Sequence, residues 1–144
     1  MMISIGSDHR GYELKSKIIE HFADIDFLDV GTNSEDRTDY PIYAKKVCKN
    51  IINGKTDFGI LICGSGVGIS IAANRFSKIY ASLCWNAEVA KMAKEDDGAN
   101  VLVLPANFVT TKEAFEIIKA WIDAKFKGGV YQERLDMIEA IRNG

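Results

Sequence analysis

Residues 57–70 read Asp-Phe-Gly-Ile-Leu-Ile-Cys-Gly-Ser-Gly-Val-Gly-Ile-Ser. A short apolar run rich in isoleucine ends on Cys63. Three glycines then alternate with small residues over 64–68, and a helical pattern follows. A continuous apolar run of this length, bounded by glycine, is a strand covered on both faces. The glycines make the turn into the next helix tight and leave its backbone N–H groups open to an anion. The segment therefore predicts a strand, tight turn and helix within a parallel sheet, with a thiol delivered to the sheet's rim.

The same grammar recurs along the chain. Strands are expected over 2–6, 27–30, 58–63, 79–84 and 101–104. Amphipathic helices are expected over 12–22, from Pro41 to 52, over 67–75, from an Asn86 cap to Ala93 or a little beyond, and from a Thr110 or Thr111 cap onward. Leu14, Ile18, Ile19 and Phe22 share one face of the first helix. Ala114, Phe115, Ile118, Trp121 and Ile122 face inward on the fifth. Gly128-Gly129 breaks the chain before a last amphipathic helix, about 131–143, carrying Leu135, Ile138 and Ile141. Alternating strands and helices at this spacing mean a Rossmann-like three-layer α/β/α sandwich around a five-stranded parallel sheet, of expected order 2-1-3-4-5. Strands one and three then flank the topological switch point, where open α/β sheets bind ligands beyond the carboxyl ends of their strands. Ser7-Asp8-His9-Arg10 and Cys63-Gly64-Ser65 occupy those two ends.

Composition narrows the function. With 144 residues, one domain spanning 1–144 is expected, and no linker or repeat is visible. A net charge of −2 with interspersed signs gives no basic stripe for nucleic acid and no polybasic or apolar tract for a membrane. The opening Met-Met-Ile-Ser-Ile-Gly is too short and uncharged for a signal peptide. Cys48, Cys63 and Cys84 are odd in number and widely spaced, which argues against a disulfide framework or a zinc site and for a reducing cytoplasm. Two histidines cannot build a metal site based on several of them.

Of the three thiols, Cys63 is the chemical candidate. A helix N-terminus close behind it favours the thiolate, which can act as nucleophile or base. Cys48 lies mid-helix and Cys84 ends a strand without a glycine loop, so both read as structural. The 64–68 loop can hold a phosphate or stabilise an oxyanion. It is not Gly-x-Gly-x-x-Gly, and no Gly-Lys-Ser/Thr follows, so neither a dinucleotide fingerprint nor a P-loop is present. Ser65 lacks the Gly-x-Ser-x-Gly context of a hydrolase elbow. Asp8 is either a helix cap or a reactive carboxylate, and His9 beside it is a ligand or acid–base candidate. His21 reads as a solvated surface residue, and Arg134 and Arg142 as charges on the last helix.

Taken together, Gly6–Lys15, Asp29-Val-Gly-Thr32, Thr38-Asp-Tyr-Pro41, Gly59–Arg75 with its closing Ala-Ala-Asn-Arg, Asn100-Val-Leu102 and Gly128-Gly129 resemble the ribose-5-phosphate isomerase B family, which includes the galactose-6-phosphate isomerase subunits. The resemblance covers almost the whole chain. It implies a cofactor-independent, metal-free aldose–ketose isomerase acting on a small phosphorylated sugar, with ribose 5-phosphate and ribulose 5-phosphate the leading pair. It implies that Cys63 moves a proton between C2 and C1 through a cis-enediolate. Backbone N–H groups of Gly64, Ser65, Gly66, Val67 and Gly68 and the Ser65 hydroxyl would hold the developing oxyanion. Asp8 would help open or bind the sugar, His9 and Arg134 would bind phosphate, and Tyr40 would line the pocket. A homodimer or dimer of dimers is implied, with sites completed across the subunit interface and the last helix packing on a partner.

The chain also departs from that pattern. Relatives carry a ring-opening His where this chain has Asp96, and an Arg where it has Asn107. They often have Gly-Gly-Arg-His where it reads Gly128-Gly-Val130-Tyr131. Arg10, an extra cation beside His9, is the candidate substitute. Two alternatives stay open: a family isomerase for a four- or six-carbon sugar phosphate, and an inactive sugar-phosphate-binding subunit.

Overall fold

The computed structural model describes residues 1–141. Five parallel strands and six helices follow one another as β1 (Met2–Ser7), α1 (Tyr12–His21), β2 (Asp26–Asp29), α2 (Tyr40–Ile52), β3 (Phe58–Cys63), α3 (Val67–Ala73), β4 (Ala81–Leu83), α4 (Ala87–Asp97), β5 (Val101–Pro105), α5 (Thr111–Asp123) and α6 (Val130–Ile141). The end expected for the last helix, with Arg142, lies outside the described residues.

The sheet order is β2-β1-β3-β5-β4, which corrects the expected 2-1-3-4-5 at its right-hand end. All pairings are parallel, with Ser7 opposite Ile62, Cys63 opposite Pro105 and Ala81 opposite Val101. The reason for the exchange is burial. β5 reads Val-Leu-Val-Leu-Pro and is buried at every residue, which suits a central strand. β4 is three residues long, half-buried throughout and carries Ser82, which suits an edge. The switch point stays between β1 and β3.

Handedness then distributes the helices. The chain moves leftward in the sheet through α1 and α4 and rightward through α2 and α3. Right-handed crossovers put these two pairs on opposite faces. Leu14 and Ile18 of α1, Ala90 and Ala93 of α4 and Ala114, Ile117, Ile118 and Trp121 of α5 pack on Ile3, Ile5, Ile60, Ile62, Leu102 and Leu104. Ala44, Val47 and Cys48 of α2 and Ile69 and Ala73 of α3 pack on Leu61, Cys63, Val101 and Val103. Residues alternate between the faces along each strand, so Cys63 belongs to the α2/α3 side.

Local signals explain the helix starts. Asn86 Oδ1 accepts from Val89 N–H at 2.8 Å. Thr110 and Glu113 form a reciprocal capping box, at 3.1 and 2.8 Å. Leu135 is buried, whereas Ile138 and Ile141 are exposed. α6 packs on α4, and Glu139 ties it to the turn before β4.

Candidate active site

The carboxyl edge of the sheet gathers the candidate residues. Asp8 N–H donates to Ile62 O at 3.2 Å, which seats Asp8 on the strand next to Cys63. The Asp8 carboxylate is buried. Its Oδ1 accepts from the N–H groups of Arg10 (3.0 Å) and Gly11 (3.3 Å), so it caps the turn into α1. The cap and reactive-carboxylate readings of Asp8 are therefore compatible, since one oxygen carries both capping bonds.

Cys63 is 4% exposed, at the margin between core and crevice. Its carbonyl accepts from Ala106 N–H and that of Gly64 from Asn107 N–H, both at 2.9 Å, which ties the thiol's turn to the segment after β5. Gly66 has φ of +76°, in the left-handed region. The conformation favours glycine, and a Cβ there would have to displace Leu83, whose Cδ1 would lie 2.5 Å away. Ser65 Oγ accepts from Val67 N–H at 3.2 Å, closing the loop onto the start of α3. The first-turn N–H groups of a helix have no partner within the helix, and here that turn borders the thiol.

Tyr40 opens α2 and lies against Gly68, where a Cβ would sit 2.5 Å from its ring. Tyr40 thus lies over the start of α3, beside the glycine turn. The segment before it is pinned: His9 Nδ1 lies 3.2 Å from both the N and the O of Thr38. The Thr38 hydroxyl meets Tyr43 Oη at 2.9 Å. Hydrogen bonds to Thr32 and Thr38 pull the Tyr43 pKa below its ordinary value. With Nδ1 spent on Thr38, His9 has Nε2 for a ligand.

Arg10 and Asn107 meet over Gly64. A Cβ on Gly64 would lie 2.8 Å from Arg10 Cδ and 2.9 Å from Asn107 Nδ2. Sequence reasoning treated Asn107 only as a missing cation. Its place at the site follows from the corrected order, because putting β5 beside β3 brings the residues after Pro105 to the Cys63 crevice. Thr38 was also missed, and its signal lies in the backbone, which no residue pattern reports.

Two expected participants do not join the site within the chain. Asp96 lies in the last turn of α4, and Arg134 lies on α6, which packs on α4. Helices run antiparallel to the strands they connect, so this corner lies at the amino edge. Five residues of β5, roughly 15 Å, separate it from the Cys63 end. Asp96 is paired with Lys127 at 3.1 Å, and Arg134 is exposed over the Tyr131 ring. Val130 is exposed at the start of α6. Cys48 and Cys84 are fully buried, and burial pushes each thiol up to about 12, consistent with structural roles. His21 is exposed but stacks on Phe115 at 3.8 Å rather than standing free in solvent. Among the described residues no cluster of three or more His, Cys, Asp or Glu is placed to hold a metal ion. No helix there is long and apolar enough to cross a membrane.

A doubly wound sheet with a thiol, a glycine loop and a buried carboxylate at its switch point defines a small-molecule enzyme site. Residues 3–138 match the family described as ribose/galactose isomerase, and the chain belongs to that family. Ribose-5-phosphate isomerase B of Escherichia coli is 42% identical over 96% of this chain and 95% of its own length. The crystal structure of a ribose 5-phosphate isomerase from Thermotoga maritima is 42% identical, covers 96% of this chain and 97% of that one, and superposes with a TM-score of 0.95. Ribose-5-phosphate isomerase B from Mycoplasma genitalium, solved with bound ribulose-5-phosphate, is 38% identical over 99% of this chain and 96% of that one, with a TM-score of 0.92. The chain is an enzyme of the aldose–ketose isomerase class.

Proposed function

We propose that this enzyme interconverts ribose 5-phosphate and ribulose 5-phosphate, with Cys63 as the base. The observation that carries the reading is the seat of Cys63: the end of β3, against the Gly64–Gly68 turn and beside Asp8. Isomerisation needs one base and a preorganised oxyanion site, and β3 with its turn supplies both. The Cys63 thiolate takes the C2 proton of the open-chain aldose. The electron pair forms the C1–C2 double bond of a cis-enediolate, whose oxygen faces the loop N–H groups and the Ser65 hydroxyl. The O2 proton passes to O1, the thiol returns its proton to C1, and O2 becomes the ketone oxygen. Asp8 serves the sugar hydroxyls during ring opening or binding, His9 Nε2 reaches the phosphate, and Tyr40 walls the ring.

Arg134 serves the site of a second copy, since its own Cys63 is across the sheet. Exposed apolar residues support such pairing: Val67 and Ile71 on α3, and Met137, Ile138 and Ile141 on α6. Three free, buried cysteines fit a reducing cytoplasm.

One observation favours a neighbouring reading. Asp96, which stands where relatives have a ring-opening His, is ion-paired with Lys127. A carboxylate in that state donates protons poorly, which favours a sugar phosphate that reacts in open-chain form.

Solvent-deuterium incorporation at C2, followed by NMR on four- to six-carbon aldose and ketose phosphates, decides between these readings. Exchange with ribose 5-phosphate that disappears in Cys63→Ala is the expected result. Exchange confined to a four- or six-carbon sugar moves the substrate. Binding without exchange in the wild type means a binding subunit.

A further inference from the structure

The Gly64 α-carbon is covered by two side chains from different strands' ends. Arg10, from the turn after β1, crosses it with Cδ 2.8 Å and Nη1 3.5 Å from where a Cβ would stand. Asn107, two residues past β5, brings Nδ2 to 2.9 Å from the same point. The root of Arg10 is fixed, because its N–H donates to Asp8 Oδ1 at 3.0 Å.

Among the described residues, Arg10 takes part in none of the ion pairs, which join Lys15 to Asp29, Lys17 to Glu13, Arg37 to Asp39, Lys119 to Asp123 and Lys127 to Asp96. Arg10 also lines a recess of about 200 Å³ with Glu13, Leu14, Lys17 and Thr111. Lys17 is engaged there with Glu13 at 3.1 Å. A guanidinium without a carboxylate thus stands between the thiol's loop and a polar recess, with an amide N–H₂ at its side. A planar fork of donors in this setting matches the oxygens of a phosphate.

We propose that Arg10, assisted by the Asn107 amide, anchors the phosphate of the substrate and sets the preference for phosphorylated over neutral sugars. The proposal rests on the sugar-phosphate isomerase reading. It also gives the substrate a polarity. The reacting C1–C2 end faces Cys63 and the phosphate end faces Arg10, where it lies over the Gly64 turn. His9 contributes one ring nitrogen, because Thr38 holds the other.

The test compares wild type with Arg10→Ala, Arg10→Lys and Asn107→Ala. Three quantities are read: KM and kcat for ribose 5-phosphate, the inhibition constant of inorganic phosphate, and that of neutral D-ribose as competitor. Arg10→Ala raises KM by about 10- to 100-fold and weakens inorganic phosphate by a similar factor. It leaves kcat within about threefold and D-ribose inhibition unchanged. Arg10→Lys recovers part of the loss, because charge is restored without the fork. Asn107→Ala shows a smaller loss of the same kind. A general structural role would instead lower kcat and weaken D-ribose equally, and that result overturns the proposal, as does an unchanged phosphate constant. If the wild type fails to isomerise ribose 5-phosphate, the functional reading fails separately. Calorimetric titration with ribose 5-phosphate then decides the anchor: a tenfold or greater weakening in Arg10→Ala sustains it, and equal affinity overturns it.

Discussion

Cys48, Cys63 and Cys84 carry the same group in three surroundings, and the surroundings assign the chemistry. Cys48 and Cys84 are fully buried, and desolvation pushes both to about 12, so neither carries appreciable thiolate at pH 8. Cys63 alone borders the crevice. Iodoacetamide at pH 8 should therefore add at most one carbamidomethyl group to the native protein, at Cys63, as read by mass spectrometry of the intact chain and its peptides. Adducts at Cys48 or Cys84 in the folded state would contradict this. The base role has its own signature. Cys63→Ala should lower kcat by about 10²- to 10⁴-fold, the usual worth of general base catalysis, while ligand affinity stays within about twofold. Gly68 gives a steric test of the crevice wall. Gly68→Ala would drive a Cβ to 2.5 Å from Tyr40 Cζ, so the ring must leave. Its expected effect is a several-fold rise in KM with a folded chain, checked by kinetics alongside circular dichroism.

At the level of elements, α6 is held by apolar packing on α4 and by a polar tie. Glu139 accepts from Ser77 Oγ at 2.6 Å, from Lys78 N–H and from Tyr80 Oη at 3.0 Å, which joins the helix to the turn before β4. Burial, then the bond to Glu139, pushes the Tyr80 phenol to about 12. The unfolded chain loses that proton near the ordinary value of 10. Between those values the folded state holds more protons than the unfolded, so stability falls as pH rises from about 10 to 12. Thermal denaturation should show a steeper alkaline loss in wild type than in Tyr80→Phe, and equal slopes would remove the tie from the account.

The sequence showed that α6 exists, because Gly128-Gly129 and the leucine–isoleucine spacing mark it. It does not show which face is covered, because an amphipathic stripe does not name its neighbour. The same limit explains the strand order. Short apolar runs identify β4 and β5, but their places depend on how deeply each is covered. The contrast between Val-Leu-Val-Leu and Ala-Ser-Leu carries that difference in cover.

For the whole molecule, the carboxyl-edge rule put Asp8, His9, Arg10 and the Cys63 loop at one edge of the sheet from sequence, since it needs only β1 and β3 side by side. It could not find Asn107, which reaches the crevice because β5 lies next to β3. It could not join Arg134 to the site at all, because α6 sits at the opposite edge of the same chain. The proposed dimer turns that separation into a prediction. If Arg134 of one copy serves Cys63 of the other, Cys63→Ala and Arg134→Ala damage different halves of each site. In a mixed dimer one site carries both lesions, and the other combines an intact Cys63 with an intact Arg134. A symmetric pair exchanged at random from equal amounts of the two variants is half mixed, with one working site in two, so roughly a quarter of wild-type activity should return. The variants are co-refolded, and the mixture is compared with each variant refolded alone. Recovery well above the sum of the separate variants places Arg134 across the interface. Activity equal to that sum means each chain uses its own residues or does not use Arg134, and the crossed site is then wrong.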